Sequence, residues 1–399
     1  MLEVSKPAVV GEVSEPVVSE AVAHAAPVVP EKIQALRMHG MNIDELKVDT
    51  IESDPCGENE VRVAVAFCGI CGSDLHEVTG GPVLAPGPGD CHKHTGTKLP
   101  VVLGHEMAGV ITEVGRKVQS VKIGQKVAVN PLYTCKHFGI DLCEACQKGR
   151  TNLCLETARV GYSTSGGGFA DQLVVPSENV FVLPENVPLE IGALVEPLAV
   201  AWHAVRMANI RPGNNALVLG AGPIGLALLQ MLKVWGASKV IITEVLETRA
   251  QQAEKFGADL IINPLEKDKD GNLVSVPQKV KEFLKGHPVD VSYDASGLQS
   301  TLDTALEATG IGGQVINLAI QERPLNIIPH TLTMGEKIYR ASMCYTDQDF
   351  SETIEALGAG RLDPTDMITS VVPLSQVVQR GFKELLTNRQ NHIKILIKP

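Results

Sequence analysis

The chain has no uninterrupted apolar run approaching the roughly 18 residues that a membrane-spanning helix needs. Its longest candidate, from Ala216 to Leu229, is broken by glycines and a proline. No lysine- or arginine-rich run is present either, and the formal net charge is −11. Together these absences argue against a membrane partner and against nonspecific attraction to nucleic acid. The segment from Met1 to about Pro30 lacks the basic start and continuous apolar core of a secretory signal, and it lacks the arginines of a mitochondrial presequence. Its Val, Ala, Glu, Ser and Pro content reads as a solvated, poorly ordered extension over residues 1–31. A cytoplasmic location is the default expectation. No internal repeat is visible.

What the chain does have is length, cysteine and a change of pattern. Its 399 residues suit two or three domains, on a prior of roughly 150 residues each. Nine cysteines without a secretory signal point to metal or redox chemistry ahead of disulfides. Up to about Val182 short strands are punctuated by glycine, among them Val61 to Phe67, Leu99 to Leu103 and Gly109 to Val114. A Gly/Pro-rich loop runs from Gly80 to Gly96. This part predicts a mainly β, partly barrel-like domain. Near Pro188 the character changes to helix, and from Ala216 strands alternate with helices, which predicts an α/β parallel sheet covered on both faces.

The first strand of that alternating part runs into Gly220-Ala221-Gly222-Pro223-Ile224-Gly225 and then an apolar helix. A GxGxxG alone is weak, but here it follows a strand, opens a helix and precedes Glu244 at the end of the next strand. Gly220 permits the tight turn, Gly222 lets the backbone approach a pyrophosphate, and Gly225 lets helix and strand pack closely. The helix N-terminus, with Pro223 and Ile224, offers N–H groups and a positive dipole to phosphates. Glu244 would accept hydrogen bonds from ribose hydroxyls and repel a 2′-phosphate, favouring NAD over NADP.

Two metal sites are expected. Cys135, Cys143, Cys146 and Cys154 leave gaps of seven, two and seven residues, a spacing at which thiolates on one loop can converge into a closed, structural zinc site. The first gap is long, and His137 is a possible substitute for Cys135. The second site is assembled from distant segments: Cys71 supplies a thiolate, His105 an imidazole, and Glu196 or Glu106 a carboxylate. Three protein ligands leave a position open for a substrate oxygen, as a catalytic zinc requires. Cys91-His92-Lys93-His94 looks like a metal tract but lacks a clear fourth partner, so it reads as loop. Cys56, Cys68 and Cys344 read as ordinary thiols.

These motifs resemble the zinc-containing medium-chain dehydrogenase/reductase superfamily, most of all its fungal (R,R)-2,3-butanediol dehydrogenase group and more distantly its sorbitol dehydrogenases. The resemblance runs from about Ile33 to the C-terminus and includes Cys68 to His76, Gly104-His105-Glu106-Met107 and Leu194 to Val205. It implies a GroES-like, mainly β catalytic domain over 32–187 and 345–399 and a Rossmann, doubly wound domain over 188–344. It also implies a homodimer or homotetramer joined through the cofactor domain. Cys71 and His105 match the catalytic zinc ligands, Glu196 matches the third, and Glu106 is a ligand in some relatives. Ser73 and His76 match the proton-relay positions, and Arg249 matches a residue at the adenosine half of the cofactor. The family's structural zinc lobe has evenly spaced cysteines, whereas here Cys135 sits five residues early, with Ile140 in the usual place.

The implied activity is hydride transfer between NAD(H) and a small vicinal diol or hydroxyketone, with 2,3-butanediol and acetoin as the leading pair. Zinc would acidify the alcohol, Ser73 would receive its proton and His76 would pass it towards solvent. A sorbitol- or xylitol-type polyol dehydrogenase is the runner-up. A noncatalytic NAD-binding protein or a zinc-free quinone reductase would have lost the open site, yet Cys71, Ser73, His76, His105 and Glu196 are all in place.

Overall fold

The computed structural model describes residues 32–321 and 323–399, so the extension expected over 1–31 lies outside the described residues. The first large sheet is organised around the strand Glu60–Gly69, in which Val61, Val63 and Val65 point into one core at the two-residue period of a pleated strand. It pairs antiparallel with Glu106–Val114, with Gln172–Pro176 and, at its far end, with the last strand of the chain, Lys394–Lys398. This register matters for chemistry. Gly69 lies opposite both Glu106 and Leu396, so three strand ends meet at one edge. Cys71 follows the first end, His105 and Glu106 open the second, and Lys394 opens the third.

A second sheet holds six strands, all in parallel pairs: Leu260–Ile262, Lys239–Thr243, Asn215–Leu219, Val289–Asp294, Thr309–Asn317 and Ile338–Ala341. Numbered by sequence, their spatial order is 3-2-1-4-5-6, the order of a dinucleotide-binding, doubly wound sheet. The strand Asn215–Leu219 explains why helices cover both faces. Ala216 and Val218 pack into a core with Leu226 to Leu232 of the helix Pro223–Val234. Leu217 and Leu219 pack on the opposite face with Val280 and Leu302, from the helices Val276–Phe283 and Gln299–Ala308. A strand buried on both faces has to be apolar throughout, which is how its sequence reads.

The strand expected over Leu99 to Leu103 shrinks to Val101–Val102. Pro100 has no amide to give a ladder, so pairing starts only after it. Among the described residues, no helix is long and apolar enough to cross a membrane.

Candidate active site and its two sulfur-bearing clusters

Cys71 sits at the N-cap of the helix Gly72–Gly80, and its amide donates to Asp74 Oδ2 at 2.9 Å. This local turn holds the thiol at the edge where the strand ends. Gly104, at φ +97°, turns the chain so that His105 enters beside it. One donor atom each from Cys71, His105 and Glu106 lies within 4.8 Å of the others. A thiolate, an imidazole and a carboxylate form a set that zinc accepts. His105 Nδ1 is buried without a hydrogen-bond partner, with Asp74 Oδ1 3.4 Å away. A carboxylate beside the second ring nitrogen is the arrangement that orients a metal-bound imidazole. Burial opposes a charged imidazole, yet the Asp74 and Cys71 charges hold His105 well above its ordinary value, so the pocket favours a cation.

Ser73 Oγ lies 3.4 Å from His105 Nε2. Behind it stands Tyr162, 1% exposed, whose hydroxyl donates to Asp74 Oδ1 at 2.9 Å and lies 2.9 Å from Ser73 Oγ. With its proton on Asp74, the phenol oxygen is left to accept from Ser73. Its ring sits 5.0 Å from that of His105.

The two candidate carboxylates differ in company. Glu106 is fully buried and receives Lys394 Nζ on both oxygens, at 2.8 and 2.6 Å, while Lys394 also donates to the Ile70 carbonyl. Burial alone would lower the Lys394 ammonium, but the Glu106 and Cys71 charges outweigh it and hold it above its ordinary value. Glu196 stands in the first turn of the helix Val195–Met207 and accepts from the Tyr345 hydroxyl at 2.8 Å. Burial pushes its carboxyl up to about 6, against the pull of His105. Sequence reasoning ranked Glu196 ahead of Glu106 as the third donor. The geometry puts Glu106 in the donor group and Glu196 outside it, on the wall of the same cavity. The reason is register: Glu106 follows His105 and is fixed opposite Gly69.

That cavity, about 830 Å³, is lined on one side by Cys71, Ser73, His76 and Glu196. On the other side are 295–299 and 318–320, from the strand ends of the parallel sheet. A ligand crevice beyond the carboxyl ends of parallel strands is the general rule for such sheets.

The glycine loop meets it from the parallel sheet. Gly220 has φ +99°, and a side chain there would strike Ser296 Oγ. A methyl on Gly225 would collide with the Gly220 carbonyl. At Gly222 the first atom a methyl would meet is Arg249 Nη1, 3.7 Å away, so the backbone there stays open to a close-lying ligand. Pro223 starts the helix Pro223–Val234, followed by Ile224. Glu244, 8% exposed, accepts from the amides of Ala221, Val245 and Leu246 at 2.8 to 2.9 Å, which pins it beside the loop. Arg249 Nη2 donates to the carbonyls of Arg389 and His392. The cradle fits a dinucleotide.

The second cluster is local. Cys135, Cys143, Cys146 and Cys154 bring their sulfurs within 4.8 Å of one another, and all nine cysteines are free. The long first gap is taken up by a turn: the amides of Phe138 and Ile140 both donate to the Cys135 carbonyl, and Gly139 has φ +61°. The chain then returns so that the Cys143 amide donates to Cys135 Sγ at 3.3 Å. His137 is not drawn in. Its Nδ1 accepts from the Thr134 amide at 2.9 Å and its Nε2 lies 2.9 Å from Asn179 Oδ1, so both nitrogens are engaged. Amides of Cys146 and Leu155 hold the Cys143 thiol down at about 6. Four converging sulfurs with N–H groups aimed at them suit a closed zinc site. By contrast, the Cys91–His94 tract forms no three-donor group among the described residues. His94 Nε2 meets Glu156 at 2.6 Å and His92 Nε2 the Thr157 carbonyl at 3.2 Å.

Sequence reasoning missed Asp74, Tyr162 and Lys394. Asp74 lay inside a motif already singled out, and a lysine opening the apolar strand Lys394–Lys398 was a readable oddity. Tyr162 carried no signal, because a glycine-rich stretch hides what its neighbours approach.

Comparison with known proteins agrees with this architecture. Residues 57–185 match the family described as alcohol dehydrogenase GroES-like domain, and residues 223–359 match zinc-binding dehydrogenase. A Saccharomyces cerevisiae (R,R)-butanediol dehydrogenase is 38% identical over 86% of this chain and 92% of its own length. The crystal structure of a Bacillus subtilis 2R,3R-butanediol dehydrogenase superposes with a TM-score of 0.83 at 32% identity, covering 92% of this chain and 99% of that one. An Escherichia coli alcohol dehydrogenase complexed with NADH superposes with a TM-score of 0.79 at 27% identity, covering 93% of this chain and 100% of that one. With a GroES-like sheet carrying the thiolate–imidazole–carboxylate edge and a doubly wound sheet carrying the glycine loop, this chain belongs to the zinc-binding alcohol dehydrogenases, which work with zinc and a nicotinamide cofactor.

Proposed function

We propose that the protein is an NAD-dependent zinc dehydrogenase that interconverts a small vicinal diol and its hydroxyketone, with (R,R)-2,3-butanediol and acetoin as the leading pair. The observation that carries this reading is the Cys71–His105–Glu106 donor group opening onto a cavity whose far wall belongs to the dinucleotide sheet. The names of the yeast and Bacillus relatives support the substrate. A zinc ion held by Cys71, His105 and one carboxylate, Glu106 or Glu196, supplies Lewis-acid polarisation of the substrate oxygen, and NAD supplies the hydride acceptor.

The protein's own groups do the rest. Asp74 fixes the His105 ring. Tyr162 holds Ser73 Oγ, which lines the cavity and receives the proton of the substrate hydroxyl while giving up its own to His76. His76, lining the same cavity, carries that proton towards solvent. Glu244, buried and held by three amides, takes the adenosine ribose hydroxyls and repels a 2′-phosphate, which favours NAD. Gly220, Gly222 and Gly225 with the amides of Pro223–Val234 receive the pyrophosphate, and Arg249 borders the adenosine end. Cys135, Cys143, Cys146 and Cys154 hold a second zinc that closes all four positions and staples their lobe.

The outer strand Ile338–Ala341 leaves Ile338 44% exposed, near the exposed Met334 and Ile311. An uncovered sheet edge with an exposed Ile338 invites pairing with a second copy, so we assign a homo-oligomer joined through the parallel sheet.

The test follows NADH absorbance with each butanediol stereoisomer, with sorbitol and NADP in parallel, before and after chelation. Chelator-sensitive NAD reduction by (R,R)-2,3-butanediol is the expected result. Much faster turnover of sorbitol would remove the substrate and keep the chemistry. No reduction of either cofactor by any diol, with zinc bound, would sink the enzyme reading.

A further inference from the structure

The substrate cavity is lined by three arginines that the chemistry above leaves unused: Arg323 and Arg389 are exposed, whereas Arg159 is partly buried. Arg159 ends the short strand Ala158–Arg159, opposite Leu132. It opens a tight turn in which the amides of Tyr162 and Ser163 donate to its carbonyl at 3.1 and 2.9 Å, while its own amide donates to Ser163 Oγ at 2.9 Å. Gly161, at φ +88°, lets this turn lie directly against the Gly104 carbonyl, next to His105. One turn therefore delivers two side chains to one cavity, Tyr162 behind Ser73 and Arg159 on the wall.

Their situations are opposite. Tyr162 has its hydroxyl satisfied by Asp74 and Ser73. Arg159 Nε is buried and has no hydrogen-bond partner among the described residues. Arg159 lines the same cavity as Cys71, His105 and Glu196. A guanidinium cannot shed its charge, and a buried donor left without an acceptor is unfavourable. An oxygen on whatever fills the cavity would supply the acceptor that Nε lacks.

We propose that Arg159 determines substrate specificity by holding the second oxygen of the substrate, on the carbon beside the one that is oxidised. The proposal rests on the diol reading above and deepens it. The reacting oxygen belongs to the Cys71–His105 edge, and its neighbour accepts from the guanidinium. A hydroxyl serves in the diol, a carbonyl in the hydroxyketone. A monoalcohol of the same carbon skeleton fits the space but leaves Arg159 unpaired, and a site built to hydrogen-bond an oxygen rejects the analogue that lacks it. No step of hydride or proton transfer changes.

The experiment compares kcat/KM for (R,R)-2,3-butanediol and for 2-butanol, at saturating NAD, in the wild type, Arg159→Met and Arg159→Lys. A lost charge-assisted hydrogen bond corresponds to about 10- to 100-fold. The ratio of diol to monoalcohol should fall by that factor in Arg159→Met and recover in part in Arg159→Lys, which keeps a cation. If Arg159→Met does not fold, Arg159→Gln is read by the same ratio. An unchanged ratio, or an equal loss on both alcohols, overturns the assignment. A wild type that oxidises 2-butanol but no diol overturns the diol reading itself, before any variant is made. A diol-active wild type with an unchanged ratio in the variants overturns only the role of Arg159.

Discussion

The two sulfur-bearing clusters of this protein are built by opposite means. The four cysteines between 135 and 154 come from a single stretch of chain, and short turns bring them together. The Cys71–His105–Glu106 group needs three strand ends from distant parts of the sequence, the third bringing a lysine 288 residues from its glutamate. The first closes on itself; the second opens on a cavity and is held by Asp74, Tyr162 and Lys394 behind it. Local assembly gives a fastening, whereas long-range assembly gives a reactive site whose precision depends on the whole sheet.

The sharpest way to break this comparison is to remove one sulfur from each. Cys71→Ser should lower kcat/KM by about 10³-fold or more, with the melting temperature close to wild type. Cys146→Ser should instead lower the melting temperature by roughly 10 °C and remove about one zinc per chain, while the activity of the molecules still folded persists. If the two variants exchange these phenotypes under calorimetry, metal analysis and steady-state assay, the assignment of roles is reversed.

Next in size is Lys394→Met, which leaves Glu106 buried without its cation and should cost about 3–5 kcal/mol of unfolding free energy. Denaturation with and without zinc checks it, and loss of stability only in the chelated protein would show that the metal, not Lys394, balances Glu106. A smaller effect is expected of Tyr162→Phe. Losing the hydroxyl that orients Ser73 should reduce kcat about tenfold while leaving KM near wild type. A rise in KM alone would move Tyr162 from positioning to binding.

The smallest effect separates acid from metal loss. Asp349 is a buried carboxylate balanced by protein groups alone, 2.8 Å from His203 Nδ1 and 2.7 Å from Arg206 Nε. Burial would raise its carboxyl, but hydrogen bonds from His203 and Thr346 outweigh that and hold it below the ordinary value. A lowered value means that its stabilisation is present above the ordinary carboxylate range and is lost as pH falls through the folded value. Asp349→Asn should therefore be slightly less stable than wild type at pH 7 and converge with it in acid, with or without chelator. A gap that widens as pH falls would contradict this sign.

How much of this was readable beforehand follows the same division. The glycine fingerprint, with Glu244 one strand on, was legible because each part acts within a few residues of its neighbours. That the Cys71 to His76 and Gly104-His105-Glu106 segments converge was legible as well. That Glu106 stands beside Cys71 and His105 while Glu196 lies on the cavity wall was not, since it depends on the pairing of Gly69 with Glu106. The displaced Cys135 was doubtful in sequence because only the turn through Gly139 reveals that seven residues fold out of the way. The truncated Leu99 to Leu103 strand was overread by counting apolar residues and passing over Pro100.

The contact between Gly161 and Gly104 welds the pocket wall to the metal edge. Both residues stand in left-handed backbone, and neither leaves room for a side chain. For protein engineering this separates two strategies. Transplanting the whole 156–166 loop from a relative would disturb the seat of His105 along with the substrate wall, and activity would suffer whatever the new loop recognised. Exchanging position 159 alone keeps both glycines in place, so the range of accepted alcohols could be redrawn one side chain at a time.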